Sequence, residues 1–91
     1  MKVYGYVYIL ECIDGSFYVG STKDLRLRII QHQRGEGSEY TRLRLPIRLV
    51  YFEEFQRIDD AFYREKQIKK RSRKKKLALI ENRLDLSLIH I

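Results

Sequence analysis

The sequence predicts a small α/β domain, a three-stranded antiparallel sheet flanked by helices in the order β-β-α-β-α-α. Two alternating runs of β-branched and aromatic residues, Val3–Glu11 and Arg48–Phe55, supply strands. Asp14-Gly15 supplies a hairpin turn after the first of them. Three later stretches carry helix spacing with start signals, and a sheet this small needs helices for cover.

In the first strand Tyr4, Tyr6, Tyr8 and Leu10 share one side, and Val3, Gly5, Val7 and Ile9 the other. A second, short strand covers Phe17–Ser21. The turn between them admits two forms. A two-residue turn at Asp14-Gly15 pairs position 10 with 19 and puts Tyr8 and Tyr18 on opposite faces. A three-residue loop, with Gly15 left-handed and bulged, pairs 10 with 18 and puts both tyrosines on one face.

Ser21, Thr22 and Asp24 are helix-start residues, and a helix from about Asp24 to Arg34 ends at Gly35. Arg28 and His32 lie a turn apart on it, beside the stripe of Leu25 and Ile29. Gly35–Ser38 reads as a loop, and Tyr40 and Thr41 lead to Pro46, the only proline. The third strand, Arg48–Phe55, sets Leu49, Tyr51 and Glu53 against Val50, Phe52 and Glu54. A helix over Ile58–Arg71 takes its cap from Asp59 or Asp60, and Ser72 caps another up to about Arg83. One domain is therefore expected over residues 1–83, with residues 84–91 a short apolar tail that suits an edge strand, a partner contact or a loose end.

Composition narrows the function classes. The single Cys12 rules out an internal disulfide and a cysteine-rich zinc site, and its strand context marks it as a small buried side chain. Val3–Leu10 is too short and too tyrosine-rich for a signal core or a membrane span, so a soluble cytoplasmic protein is expected. The net charge is +7, and nine of the 19 basic residues fall in Arg64–Lys76 with one acid, Glu65. A positive field from one segment fits a phosphate-facing patch better than a general surface. Lys69, Lys70, Arg71, Arg73, Lys74, Lys75 and Lys76 are the candidates to hold a nucleic-acid backbone.

Glu65 stands apart. Ile58, Ala61, Glu65 and Ile68 share one helical face, so the carboxylate points toward the core. A buried charge needs a partner. A metal with a phosphate is one solution, and a structural ion pair with Arg28 is the other.

Tyr6-Val7-Tyr8, then Tyr18-Val19-Gly20, Leu25-x-x-Arg28 with His32, Tyr40-Thr41, and Glu65 in Arg-Glu-x-x-Ile-Lys form an ordered set. That set resembles the GIY-YIG nuclease domain, in its small stand-alone bacterial form, over roughly Tyr4–Ile80. The resemblance implies a divalent-metal-dependent endonuclease that hydrolyses phosphodiester bonds in DNA with low sequence specificity, in DNA repair or processing. The alternative is a non-catalytic nucleic-acid-binding module that keeps the shell. RNA is the second possible polymer, no membrane is involved, and protein partners stay open.

Carried over by position, Tyr8, Tyr18, Arg28 and His32 are the catalytic set, Glu65 the ligand of one Mg²⁺ or Mn²⁺, and Gly20 and Tyr40 structural residues at the site. Tyr8 would act as general base, helped by nearby positive charge. Tyr18 would hold water or a phosphate oxygen, and Arg28 would grip a phosphate oxygen through its planar fork. His32 would orient Tyr8 or relay its proton, unless it serves only to cap the helix end. The site requires both tyrosines on one face, and so the three-residue hairpin. The chain has Ser21 where repair-type relatives often carry a lysine, and Asn82 is its one candidate for a late asparagine found in some relatives.

Overall fold

A computed structural model describes the backbone of residues 2–89 and the side chains of residues 2–82. Three strands form one antiparallel sheet: β1 (Gly5–Glu11), β2 (Phe17–Thr22) and β3 (Arg48–Phe55), in the spatial order β2-β1-β3. Helix α1 (Leu25–Gln33) follows β2, a short α2 (Glu39–Arg42) follows α1, and α3 (Ile58–Lys69) and α4 (Arg73–Ile89) follow β3.

The central strand is buried on both sides. Val7 and Ile9 meet Val19, Tyr51, Ile68 and Ile80 under α3 and α4. Tyr8 and Leu10 meet Cys12 and Ile47, with Leu25 and Ile29 of α1 over them. The alternation read from the sequence thus feeds two cores, one per face. Gly5 fits under α3: a Cβ there would lie 2.9 Å from Ile58 Cα and 3.0 Å from the Arg57 carbonyl.

The hairpin takes the three-residue form. Tyr8 pairs with Gly20 and Leu10 with Tyr18, and Gly15 has φ of 82°. Tyr8 and Tyr18 share a face, with ring centroids 6.5 Å apart.

Five expectations are corrected. β1 begins at Gly5, because Tyr4 adds one hydrogen bond to Phe55 without extending the ladder. The pairing of β1 with β3 shifts between Ile9 and Leu10, so Leu49 and Tyr51 fall on opposite faces despite their spacing. Residues 39–42 form α2, a short helix absent from the expected order, giving β-β-α-α-β-α-α; Ser38 caps it by accepting from the Thr41 amide. The N-cap position of α3 is Arg57, which makes no side-chain cap, and Asp59 and Asp60 lie in the first turn instead. Ser72 caps α4 as expected, but the helix continues through Ile89 and crosses the expected boundary at residue 83. The side chains of residues 84–91, where a tail was expected, lie outside the described residues.

Two arginines of the basic segment are used by the fold. Arg64 forks onto Glu53 at 2.9 and 3.0 Å, and Tyr51 donates to the same carboxylate. Arg73 donates to the Gly15 carbonyl at 2.7 Å and lies 4.5 Å from the Phe17 ring centroid, which pins the start of α4 to the hairpin.

Burial alone would raise the Glu53 carboxyl, but the hydrogen bonds from Arg64 and Tyr51 outweigh it and hold it below the usual carboxylate value. The stability it lends is therefore present above the unfolded carboxylate value and is lost as pH falls through the folded one. Replacing Arg64 with Met strands the half-buried carboxylate. A loss of about 1–3 kcal/mol in urea unfolding at neutral pH is expected, shrinking as pH falls below the ordinary carboxylate range and Glu53 takes up its proton.

Candidate nuclease site at the sheet edge

Tyr8 is 1% exposed, and its hydroxyl bonds His32 Nε2 at 2.8 Å. His32, on α1, is fully buried, and its Nδ1 lies 2.8 Å from Thr41 Oγ1. Thr41 Oγ1 in turn contacts Ser38 Oγ at 2.9 Å and donates to the Ser38 carbonyl. His32 is thus spent on Tyr8 and Thr41, and the reading of it as a plain helix cap is set aside.

Two glycines make room for this chain of contacts. The phenol of Tyr8 folds across its strand partner Gly20, where a Cβ would come within 2.6 Å of the ring Cζ and closer still to the hydroxyl. A Cβ on Gly37 would lie 2.6 Å from His32 Cγ and closer to Nδ1.

Arg28 projects from α1 on the same side. It donates to Gln31 Oε1 at 3.1 Å and to the Gly37 carbonyl at 2.9 Å, and its guanidinium is near enough to Tyr8 to favour the charged form of the phenol. It makes no ion pair with Glu65, so the structural pair considered from sequence is not the one formed. Tyr18 stacks on Tyr40 at 6.1 Å and meets His32 edge-on at 5.2 Å. Arg44 lies 3.8 Å from the Tyr40 ring centroid and holds it in place.

Glu65 reaches the site from the other face. Ser21 pairs with Val7 in the ladder and so sits on the α3 side of β2, where its hydroxyl donates to Glu65 Oε1. Lys69, one turn on, lies 2.5 Å from Oε2. The side chain of Glu65 is 18% exposed. Because β2 is an edge strand and Gly20 has no side chain, the acid and the phenol come into electrostatic range across that edge. Ser21 is marked in the sequence as a helix-start residue and as a departure, not as a partner of Glu65. Its role is visible once Val7 and Ser21 are known to be opposite each other.

Burial pushes the Tyr8 phenol up to about 12, with Arg28 opposing it and Tyr18 and Glu65 adding to it. Burial, with the charge of Arg28 second, pushes His32 down to about 4, so the imidazole is neutral near pH 7.

The basic segment reaches this edge. A cavity of about 250 Å³ is bounded by Phe17, Tyr18, Val19, Tyr40, Lys69 and Lys76. Lys70, Lys74 and Lys75 are exposed and form no ion pair among the described residues. Arg71 is half-buried within electrostatic range of Glu53, and Arg73 is held by the hairpin. A larger cavity of about 860 Å³ opens between α1 and the sheet, lined chiefly by Leu25, Ile29, Leu49 and Phe52, and none of the site residues borders it.

Among the described residues no three His, Cys, Asp or Glu side chains cluster as a metal cage. A metal enclosed by protein ligands does not fit. A hard divalent ion that keeps its waters and takes oxygens from a substrate phosphate does fit, because it needs one partly open carboxylate. Glu65 is that carboxylate, and the Lys69 ammonium beside it marks the place as favourable to a cation.

An edge site with paired tyrosines, an arginine and an acid on a small antiparallel sheet is the architecture of a nuclease domain. The chain belongs to the GIY-YIG family: the profile of the GIY-YIG catalytic domain matches residues 4–78. It is similar to the UPF0213 protein SSP2268 of Staphylococcus saprophyticus, 51% identical over 75 residues, covering 82% of this chain and 92% of that protein. A UPF0213 protein of Staphylococcus aureus is 46% identical over 78 residues, covering 86% and 95%. Two solution NMR structures share the fold. The UPF0213 protein BH0048 from Bacillus halodurans has a TM-score of 0.56 at 47% identity, covering 85% of this chain and 82% of its own. The protein EF2693 from E. faecalis has a TM-score of 0.58 at 36% identity, covering 90% and 86%. Membership of a nuclease family implies a nucleic-acid ligand. No helix among the described residues is long and apolar enough to cross a membrane.

Replacing Gly20 with Ala places a methyl group against the Tyr8 phenol. The expected result is a folded domain, about 1–3 kcal/mol less stable by thermal unfolding, with the Tyr8–His32 bond displaced in its NMR spectrum. Buried neutral His32 gives a second expectation. Its contribution to stability is complete above the ordinary imidazole value of about 6.5 and is lost as pH falls toward the folded value of about 4. Urea unfolding of the His32→Gln variant across that window should show a flatter pH dependence than the parent.

Proposed function

We propose that this domain is a divalent-metal-dependent endonuclease that hydrolyses phosphodiester bonds in DNA with little sequence selectivity, as a DNA-processing or repair enzyme. The buried Tyr8–His32 hydrogen bond, beside Arg28 and within electrostatic range of Glu65, is the observation that carries the reading.

Hydrolysis needs a water that loses a proton, a phosphate relieved of its charge and a leaving oxygen. Tyr8 takes the proton from the attacking water as its own proton passes to His32 Nε2, and the bond to His32 favours Tyr8 over Tyr18 as the base. Arg28, whose charge already favours the ionised phenol, both lowers the cost of phenolate character and grips a phosphate oxygen. Tyr18, fixed between Tyr40 and His32, holds the water or a second phosphate oxygen. Glu65, oriented by Ser21, would hold one Mg²⁺ or Mn²⁺ once Lys69 moves aside. Bound there, the ion would polarise the phosphoryl oxygen and ease departure of the 3′ oxygen.

Lys70, Lys74 and Lys75, with Lys69 and Lys76 at the cavity, are placed to neutralise backbone phosphates. Contacts of that kind supply affinity and little sequence reading. Arg73 and Arg71 are expected to contribute less, since the fold already uses their charge.

A second reading has one observation in its favour. Lys69 neutralises Glu65 without a metal, as suits a nucleic-acid-binding module that does not cut. The test is a survey of labelled single-stranded, duplex and branched DNA with Mg²⁺, Mn²⁺ or chelator. A nuclease cuts at least one substrate only with metal, Glu65→Ala abolishes cutting while leaving binding within about twofold, and Lys74→Ala weakens binding without changing the metal requirement. Binding should fall steeply with salt, with a slope near −0.9 for each phosphate contact on duplex, about −3 to −5 in all. If the parent protein never cuts with metal, it is a binding module.

A further inference from the structure

We infer that Thr41, braced by Ser38, is a positioning residue that fixes His32 in the tautomer protonated on Nδ1 and leaves the Nε2 lone pair free to receive the Tyr8 proton. The inference deepens the proposed function and rests on Tyr8 as its base.

The assignment follows from donors and acceptors. The hydroxyl of Tyr8 is buried, so its one proton needs an acceptor. Its hydrogen-bond partner among the described residues is His32 Nε2, and the nearby Arg28 can only donate. Nε2 must therefore be unprotonated. His32 is neutral, so its proton is on Nδ1 and is donated to Thr41 Oγ1 at 2.8 Å. Thr41 Oγ1 can also accept from Ser38 Oγ, while its own proton goes to the Ser38 carbonyl. Every hydroxyl and ring proton then has one place. In the opposite tautomer Nε2–H would face the Tyr8 oxygen and the phenol proton would be stranded.

The segment that carries Thr41 is built around His32. Gly37 allows the backbone to pass against the ring, and its carbonyl accepts from Arg28. Ser38 caps α2, and that single turn of helix presents Thr41, fully buried, to Nδ1. When the Tyr8 proton moves to Nε2, the imidazolium keeps its Nδ1–H bond to Thr41, so no heavy atom need rearrange. The charged or titratable groups facing the ring are Tyr8 from β1, Tyr18 from β2 and Arg28 from its own helix; α2 contributes the neutral Thr41, and Glu65 from α3 acts on Tyr8.

The test reads the ring nitrogens of His32 by long-range ¹H–¹⁵N NMR of the uniformly labelled chain, which has two histidines. Loss of one set of signals in His32→Gln assigns them. The expected parent spectrum near pH 7 has a proton-bearing Nδ1 and a bare Nε2. Thr41→Val, close in shape but without the hydroxyl, should shift the ring to the other tautomer or a mixture, and Thr41→Ser should restore the parent pattern. A proton on Nε2 in the parent overturns the inference, as does an unchanged tautomer in Thr41→Val. Should Thr41→Val fail to fold, the parent and Thr41→Ser spectra still decide: both must show the Nδ1 proton.

With a cleaved substrate in hand, Thr41→Val should lower kcat about 10- to 100-fold with KM nearly constant, and Thr41→Ser should recover most of it. The tautomer is read without turnover. A confirmed Nδ1 proton in a protein that never cuts would therefore refute the nuclease reading and leave this assignment standing.

Discussion

Two polar rings without access to water must satisfy each other, and Tyr8 and His32 do so in the middle of this domain. Much of the surrounding structure follows from that bond. Gly20 is bare because the phenol crosses it, Gly37 is bare because the imidazole abuts it, and α2 exists where it does to bring a hydroxyl to the far ring nitrogen. The hairpin loop has three residues because two would send Tyr18 to the other face. A phenol that burial pushes up to about 12 could serve as the proposed base only where its surroundings share the proton. A neutral imidazole on one side and a guanidinium on the other do that.

The sheet serves two masters. On one face it is a scaffold for the phenols, the guanidinium and the imidazole. On the other it seats α3, whose acid reaches round the edge strand. The site is therefore a property of an edge and not of a pocket. The cavity between α1 and the sheet borders none of these groups. An edge site suits a stiff, charged polymer, which can lie across an open rim more easily than enter a hole.

What the sequence revealed was governed by local periodicity and turn chemistry. The strand faces of β1, the helix ends at Asp24 and Gly35, and the inward turn of Ala61 and Ile68 all come from spacing that tertiary contacts reinforce. Glu65 stands out from its place on an apolar helix face, Tyr8, Tyr18, Arg28 and His32 only through the family resemblance, and the fold brings them to one edge of the sheet. What stayed hidden was long-range. The bulge that splits Leu49 from Tyr51 depends on how β3 meets β1. Ser21 gains meaning only opposite Val7, and Thr41 only beneath His32. The basic run looked uniform because charge does not reveal its partner: Arg64 and Arg73 turn inward to Glu53 and Gly15 while Lys70, Lys74 and Lys75 face water.

Surface loops ordinarily accept insertions and deletions, because they bear on little else. The Ile13–Gly15 connection is an exception. Side chains alternate along a strand, so one residue more or fewer there reverses the parity of β2, carrying Tyr18 to the α3 side and Ser21 away from Glu65. The same tip supplies the carbonyl that tethers Arg73, so α4 with its lysines would lose its mooring in the same event. An exposed turn of three residues therefore sets the phase of the whole candidate site, and in descendants of this chain its length should drift far less than its composition.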